Sequence, residues 1–116
     1  MLLGYYMEQK FTEDYMGDMS NGIMTSLGFV LSYHSADINN VKNGITLITA
    51  THSDTISIVD NSGIPHTLTL VQLNILLMEL LGAVQQLNQK DWQLCQLVDS
   101  CTTIAQIRAI NWQTIV

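Results

Sequence analysis

Two stretches of the sequence bring together residue types that could do chemistry. His52-Ser53-Asp54 combines an imidazole, a hydroxyl and a carboxylate, and Asp60-Asn61-Ser62-Gly63 carries the oxygen-bearing side chains that calcium loops use. No further ligands stand at metal-binding spacing from the first stretch, and the second lacks the alternating acids and closing glutamate of a calcium loop. No Gly-x-Ser-x-Gly elbow surrounds a serine. We therefore expect a protein that is not an enzyme and holds no metal or cofactor, with solvated histidines in loops and a hairpin turn at the second stretch.

The two cysteines, Cys95 and Cys101, fall six residues apart in a segment with helical periodicity. Six residues of helix rise about 9 Å, which is beyond the reach of a disulfide within the chain. No cation adjoins either thiol to activate it, since Lys90 is more than a helical turn away from Cys95. We interpret both cysteines as free thiols that pack in or near the core, in a reducing compartment.

The charge of the chain argues against several classes of partner. Ten acidic residues outnumber four basic ones, for a net charge of −6, and the bases are scattered at Lys10, Lys42, Lys90 and Arg108. Four separated cations cannot neutralise a run of phosphates, so we expect neither nucleic acid nor an anionic membrane surface as a partner. The first residues lack the basic and apolar regions of a secretory signal peptide. The most apolar run, Leu73–Leu81, is too short for a membrane span and contains Asn74 and Glu79.

The pattern of apolar and turn-forming residues predicts an α+β fold in a single domain over residues 1–116, with about four helices and two short β-hairpins. Residues 1–20 are predicted to form an amphipathic helix. Residues 22–68 are predicted to hold one hairpin on either side of a middle helix, which Ser35 would cap. The second hairpin turns at Asp60–Gly63.

Residues 69–116 carry the clearest pattern, which predicts a long helix over about 70–100. Its apolar residues recur at alternating spacings of four and three, as in a coiled-coil seam. The row consists of Leu73, Leu77, Leu80, Val84, Leu87, Asp91, Leu94, Val98 and Cys101. Because such a helix spans about 45 Å, longer than a compact domain of this size is wide, the helix either bends near Gly82, bends or breaks around Asn88–Asp91, or is continuous and projects into a partner. Thr103, followed by Gln106, predicts a capping box that opens a short terminal helix.

Two groups of residues are candidates for contact with a partner. The first is an association seam on the long helix, in which Trp92 is either an interface aromatic or a partly buried cap on neighbouring helices. The predicted association seam consists of Leu73, Leu77, Leu80, Val84, Leu87 and Trp92. The second group is an acidic patch of Glu13, Asp14 and Asp18 on the first helix, which is either a solvated face or a lure for a basic partner.

Several segments, taken together, resemble a known family. The turn at Asp60–Gly63 leads into Thr67-Leu68-Thr69, the long helix follows, and the chain then continues as Val98-Asp99-Ser100-Cys101-Thr102-Thr103-Ile104. This order resembles the domain that closes many tailed-phage and prophage tail-fibre proteins, where an Asp-Gly turn, a Leu-Thr helix start and a later Thr-Thr segment recur. The resemblance covers the chain from about Gly22 onward, and Gly22-Ile23-Met24-Thr25 is similar to a further segment of that family.

The resemblance implies a non-enzymatic structural or interaction domain associated with a tail fibre, and it carries over no catalytic residue. Because tail fibres are commonly trimeric, the resemblance implies a homo-oligomer in the virion tail and favours a trimer over a dimer. The 36 Ser, Thr, Asn and Gln residues and the low charge content suit a module made for association. The alternative belongs to another class: a small acidic phage-encoded inhibitor of a host defence complex, of anti-CRISPR type, that acts on a protein partner in the host bacterial cytoplasm.

Overall fold

The structure, a computed structural model, describes residues 2–112, with side chains from Phe11 to Trp112. Within these residues, four helices and two small antiparallel sheets follow one another along the chain, which confirms the predicted α+β fold. The elements, in chain order, are α1 (Leu2–Asn21), β1 (Ile23–Met24), β2 (Val30–Leu31), α2 (Ser35–Thr51), β3 (Thr55–Val59), β4 (Pro65–Thr69), α3 (Leu70–Ser100) and α4 (Ile104–Arg108).

The chain divides into two compact units. The terminal unit comprises the chain up to residue 18 and from residue 85 onward, and the central unit comprises residues 19–84. Helix α3 contributes its first half to the central unit and its second half to the terminal unit. The single domain over residues 1–116 stays a prediction.

Both hairpins lie in the central unit. β1 and β2 form a two-residue antiparallel ladder, and β3 pairs with β4 over five residues, from Thr55 opposite Thr69 to Val59 opposite Pro65. Pro65 has no N–H to give to a ladder, and it occupies the first position of β4, where proline is tolerated. Each sheet has two strands, so every strand is an edge strand.

The passage from α1 into β1 requires a glycine. Gly22 has a φ of 77°, and a Cβ at this position would lie 2.5 Å from the backbone oxygen of Leu31. Only glycine combines this left-handed conformation with such a close approach of two backbones. The backbone N–H of Tyr33 donates to the carbonyl oxygen of Met19 at 3.1 Å, which fixes the end of β2 beside the end of α1.

Helix α2 is capped one residue earlier than predicted. Its N-cap is His34 rather than Ser35, because the carboxylate of Asp37 accepts a hydrogen bond from the backbone N–H of His34 at 3.0 Å. Gly44 packs closely enough against β3 that a Cβ would lie 3.4 Å from Cγ2 of Ile56. The residues that α2 buries are Ile38, Val41, Gly44 and Ile48.

Helix α3 is continuous from Leu70 to Ser100, so the backbone neither breaks nor unwinds at Asn88–Asp91. One side of the helix is buried along its whole length, and we call it the inward row. The inward row consists of Leu73, Leu76 and Leu80 in the central unit and of Leu87, Leu94 and Val98 in the terminal unit.

The short terminal helix has the predicted capping box. The hydroxyl oxygen of Thr103 accepts from the backbone N–H of Gln106 at 3.2 Å, and the side-chain oxygen of Gln106 accepts from the backbone N–H of Thr103 at the same distance. α4 then buries Ile107.

We expect Leu80→Ala to lower the free energy of unfolding by about 2–5 kcal/mol, because the substitution leaves a cavity under a fully buried side chain. The matched control is Met78→Ala, two residues away on the same helix, where the side chain is 75% exposed and the change should stay within about 0.5 kcal/mol. Equilibrium denaturation of both variants measures the difference. Equal effects of the two substitutions would contradict the assignment of the inward row.

Candidate functional site

The predicted association seam is divided between the interior and the surface of the chain. Its buried members are Leu73, Leu80 and Leu87, its half-buried members are Leu77 and Val84, and Trp92 is exposed. An amphipathic helix buries its most regular apolar row against its own fold. Because half of the seam is already buried in this way, an intermolecular surface on α3 has to be built mainly from other side chains.

A second apolar row lies on the opposite side of α3 in the central unit. We call it the outer face, and it consists of Leu70, Val71, Ile75, Met78 and Leu81, all exposed. At about 100° per residue Val71, Ile75 and Met78 point away from the buried leucines, and Leu70 and Leu81 lie at the border of this face. The sequence pattern did not predict the outer face, because the heptad row is longer and more regular. Val71, Ile75 and Met78 also follow spacings of four and three.

Trp92 is the exposed tryptophan of the terminal unit. Its side chain is 62% exposed, and together with Gln93, Gln96 and Leu97 it lines a shallow depression of about 320 Å³. Trp92 is therefore not the partly buried cap that was one of its two predicted roles. The tryptophan that packs inside the terminal unit is Trp112, which is buried.

Trp112 holds the terminal unit together. Its ring centroid lies 6.3 Å from that of Phe11, and its indole N–H donates to a carboxylate oxygen of Asp18 at 2.7 Å. The ammonium group of Lys90 lies 4.5 Å from the ring centroid, in the position of a cation–π contact. Trp112 thereby joins three segments that are distant in sequence: α1, α3 and the end of the described chain.

The three carboxylates of the predicted acidic patch differ in exposure and in their contacts. Asp18 accepts the hydrogen bond from Trp112 and is half-buried, as is Asp14, whereas Glu13 is exposed. Asp18 therefore makes a contact within the chain, whereas Glu13 exposes its carboxylate.

Asp60 organises the tip of the β3–β4 hairpin, which confirms the predicted turn. One carboxylate oxygen accepts from the backbone N–H groups of Ser62 and Ile64 at 2.8 and 3.0 Å, and the other lies 2.7 Å from Nε2 of His66. The hydrogen bond with His66, followed by that from Ile64, holds the pKa of Asp60 below its usual value. The ring of His66 stacks on Phe29 with centroids 4.0 Å apart. The carboxylate of Asp60 therefore stabilises the hairpin turn through hydrogen bonds within it.

Asn61 fastens the same tip to the rest of the central unit. Its side-chain oxygen accepts from the backbone N–H of Ser32 at 2.8 Å, and its amide nitrogen donates to the backbone oxygen of Ser20 at 3.1 Å. Its backbone N–H donates to the oxygen of Val30 at 3.0 Å. One residue thus connects the second hairpin with β2 and with the end of α1. Nothing in the sequence pattern distinguished Asn61 from an ordinary turn residue.

The other stretch whose residue types could do chemistry, His52-Ser53-Asp54, follows the end of α2. His52 terminates the helix in the left-handed conformation, with a φ of 54°, and the stretch from His52 to Asp54 is exposed. The hydroxyl of Ser53 lies 2.8 Å from that of Thr51. Among the described residues, no three His, Cys, Asp or Glu side chains come together as a metal site.

Asp91 lies within the row that was predicted as a seam, and it is half-buried. Burial raises the pKa of Asp91 above its usual value. Tyr15 lies on α1 and donates from its hydroxyl to the side-chain oxygen of Asn88. Burial, and then the negative charge of Asp91, raise the pKa of Tyr15. The inward side of the terminal unit therefore contains an acid whose ionised form is disfavoured.

The cysteines are free thiols. Cys95 lies on α3 and Cys101 directly after its last residue, so they do not share one helix as predicted. The thiol of Cys101 contacts the carbonyl oxygen of Leu97 at 3.1 Å, near the end of that helix.

By length and composition, α3 qualifies as a candidate membrane span. The core helix of a soluble protein meets the same criterion, and a single helix of this kind is weak support for a membrane location. The absence of a membrane partner stays a prediction.

No family model, no curated protein and no solved structure matches this chain. The resemblance to tail-fibre domains accordingly depends on the sequence segments alone.

We expect Asn61→Ala to lower the free energy of unfolding by about 1–3 kcal/mol, since two side-chain hydrogen bonds of about 0.5–1.5 kcal/mol each are lost. Ser62→Ala at the neighbouring exposed position is the control, and it should change stability by less than about 0.5 kcal/mol. Equilibrium denaturation measures both. A neutral Asn61→Ala would mean that the tip is held by its backbone alone.

We expect Asp91→Asn to raise the melting temperature at neutral pH, because it removes a charge that burial disfavours. A raised pKa means that the folded state binds the proton more tightly than the unfolded state, so the wild type gains stability as pH falls through that pKa. The advantage of the variant should therefore shrink between neutral pH and about pH 4. Thermal unfolding across this range is the measurement, and a variant less stable than the wild type at neutral pH contradicts the argument.

Proposed function

We propose that the chain is a non-enzymatic structural and interaction domain of a phage tail fibre, and that it forms a homo-oligomer, a trimer first, through the outer face of α3. The observation that carries the proposal is the exposed apolar row from Leu70 to Leu81. Contiguous apolar side chains on a surface mark sites of association.

A second copy of the chain suits the outer face because this face carries no ionised group. The acid of this part of α3, Glu79, is half-buried and accepts from the backbone N–H of Ser26 at 3.0 Å. The exposed Asp54 lines a depression with Leu70 and Val71, so the nearest carboxylate borders one end of the outer face and is not part of it. Burying Val71 and Met78, both more than two-thirds exposed, would supply the hydrophobic gain.

The segments that carry the family resemblance support the same proposal. Asp60–Gly63 forms a hairpin tip, Thr69 precedes the first turn of α3, and Thr103 caps α4. The order of turn, long helix and capped short helix is thus a property of the fold as well as of the sequence. The tail-fibre resemblance favours three copies over two.

The acidic inhibitor of a host defence complex remains the second candidate, and one observation favours it. Ten acids against four bases make the chain a match for a basic surface, and Glu13 is exposed on α1. This candidate requires a heterologous partner and no self-association. The mass of the protein in solution therefore separates the two candidates.

We expect light scattering to give a mass of about three chains, and Met78→Glu to shift the protein towards the monomer with a dissociation constant more than about tenfold higher, since a charge would replace a buried apolar contact. Met24→Glu is the matched control, because Met24 lies in the same unit, is 69% exposed and is outside the outer face. It should leave the mass unchanged.

A wild-type protein that stays monomeric at high concentration would refute self-association through the outer face. Equal dissociation by Met24→Glu and Met78→Glu would also refute it, because the effect would then follow the added charge rather than its position.

A further inference from the structure

A groove of about 360 Å³ runs between α2 and β3 in the central unit. Four consecutive residues of β3, from Ile56 to Val59, line it. Because successive side chains of a strand point to opposite faces, a groove that touches four in a row follows the edge of the strand and not one of its faces. The other edge of β3 is paired with β4. The groove therefore lies along the open edge of β3.

The ladder identifies the backbone groups that point into the groove. At the hairpin tip the backbone N–H of Asp60 donates to the oxygen of Ile64 at 3.0 Å. Hydrogen-bonded and non-hydrogen-bonded pairs alternate in an antiparallel ladder, so Ile58 is hydrogen-bonded to β4 while Ser57 and Val59 face the other way. Among the described residues, no backbone partner beyond the ladder occupies the N–H or C=O of Ser57 or Val59.

The two outer edges of this sheet are protected differently. Pro65 stands on β4 opposite Val59, at a non-hydrogen-bonded position, so the missing N–H blunts the outer edge of β4. β3, with the sequence Thr-Ile-Ser-Ile-Val, has no proline and no charge. Open edges without such protection are templates for another strand.

The wall of the groove opposite β3 is formed by α2. Asn40 and Asn43 present exposed amide side chains, and Leu47 adds an exposed apolar one. Asp37 is the charged residue among the lining residues, and no lysine or arginine is there to neutralise it. An occupant with a basic residue near Asp37 is complementary in charge.

We propose that this groove binds an extended peptide segment of a partner protein, which adds as a third strand to the open edge of β3 and places a lysine or arginine beside Asp37. Backbone hydrogen bonds to Ser57 and Val59 hold the peptide. The side chains of α2 that line the groove contact the peptide's side chains and give selectivity, as in other cases of strand addition. Four residues of β3 line the groove and Leu31 of β2 lines it as well, so the groove pairs with about four residues of peptide.

A single extended segment fits this place better than a second copy of the chain. A second copy would approach through its own β3, and it would bring its own α2 against the α2 that lines the groove. The groove is also separate from the outer face of α3, since the two share no residue. The proposal therefore stands whether or not the chain forms an oligomer.

The test uses a fluorescein-labelled synthetic hexapeptide, Lys-Val-Thr-Val-Thr-Val, titrated with the full chain and followed by fluorescence anisotropy. Two N-methylated forms of the peptide, one methylated at the odd and one at the even residues, are titrated in parallel. Strand addition predicts that one form binds at least about tenfold more weakly, because its methyl groups face β3, and that the other binds like the parent.

Three variants of the protein test its side of the contact. Ser57→Pro should abolish binding, whereas Thr67→Pro, which removes an N–H from the outer edge of β4, should retain it. Asp37→Asn keeps an acceptor for the backbone of His34, and it should remove the preference of the groove for the lysine peptide over a peptide with glutamine in that place.

No binding of the parent peptide at millimolar concentration overturns the proposal, and so does equal binding of both N-methylated forms. Self-association that Ser57→Pro abolishes, in the absence of peptide binding, would instead assign the edge to a second copy of the chain. A wild-type-like thermal transition of Ser57→Pro shows that loss of binding is not loss of the fold.

Discussion

Burial of the inward row of α3 is the interaction on which both units depend. The row supplies fully buried leucines to the central unit, such as Leu73 and Leu80, and Leu94 to the terminal unit. Each unit is too small to bury a large core from its other elements, because a short chain leaves much of its surface exposed. Helix α3 supplies the missing buried side chains to both units. The helix is continuous through Asn88–Asp91, and Asp91 is half-buried within the row.

Around this helix each unit is closed by one residue with several partners. Asn61 does this in the central unit with hydrogen bonds to β2 and to the end of α1, while Asp60 shapes the turn that presents it. Trp112 does it in the terminal unit through a ring contact, a hydrogen bond to Asp18 and the cation of Lys90. In both units polar groups that could have formed a site hold segments of the chain together instead.

Features that depend on neighbours in sequence were predictable, and features that depend on distant segments were not. The capping box of Thr103 and the course of α3 follow from residues three and four positions apart, and a one-residue error at the cap of α2 arose because Asp37 reaches back to His34. The side of α3 that the chain itself covers depends on packing, so the seam was placed on the row that the fold buries. The role of Trp112 was not predictable for the same reason, since its partners lie on two distant helices, α1 and α3.

The two surfaces that remain, the outer face of α3 and the open edge of β3, differ in the physics of recognition. The outer face offers apolar side chains such as Met78 and no backbone donors, so in the proposed oligomer its specificity would come from matching shape and from symmetry. The edge of β3 offers backbone groups at Ser57 and Val59, which pair with any extended chain, and it gains specificity from Asp37 and the amides of α2. The two surfaces share no residue, so a protein with few charges and many uncharged polar residues can expose both at once.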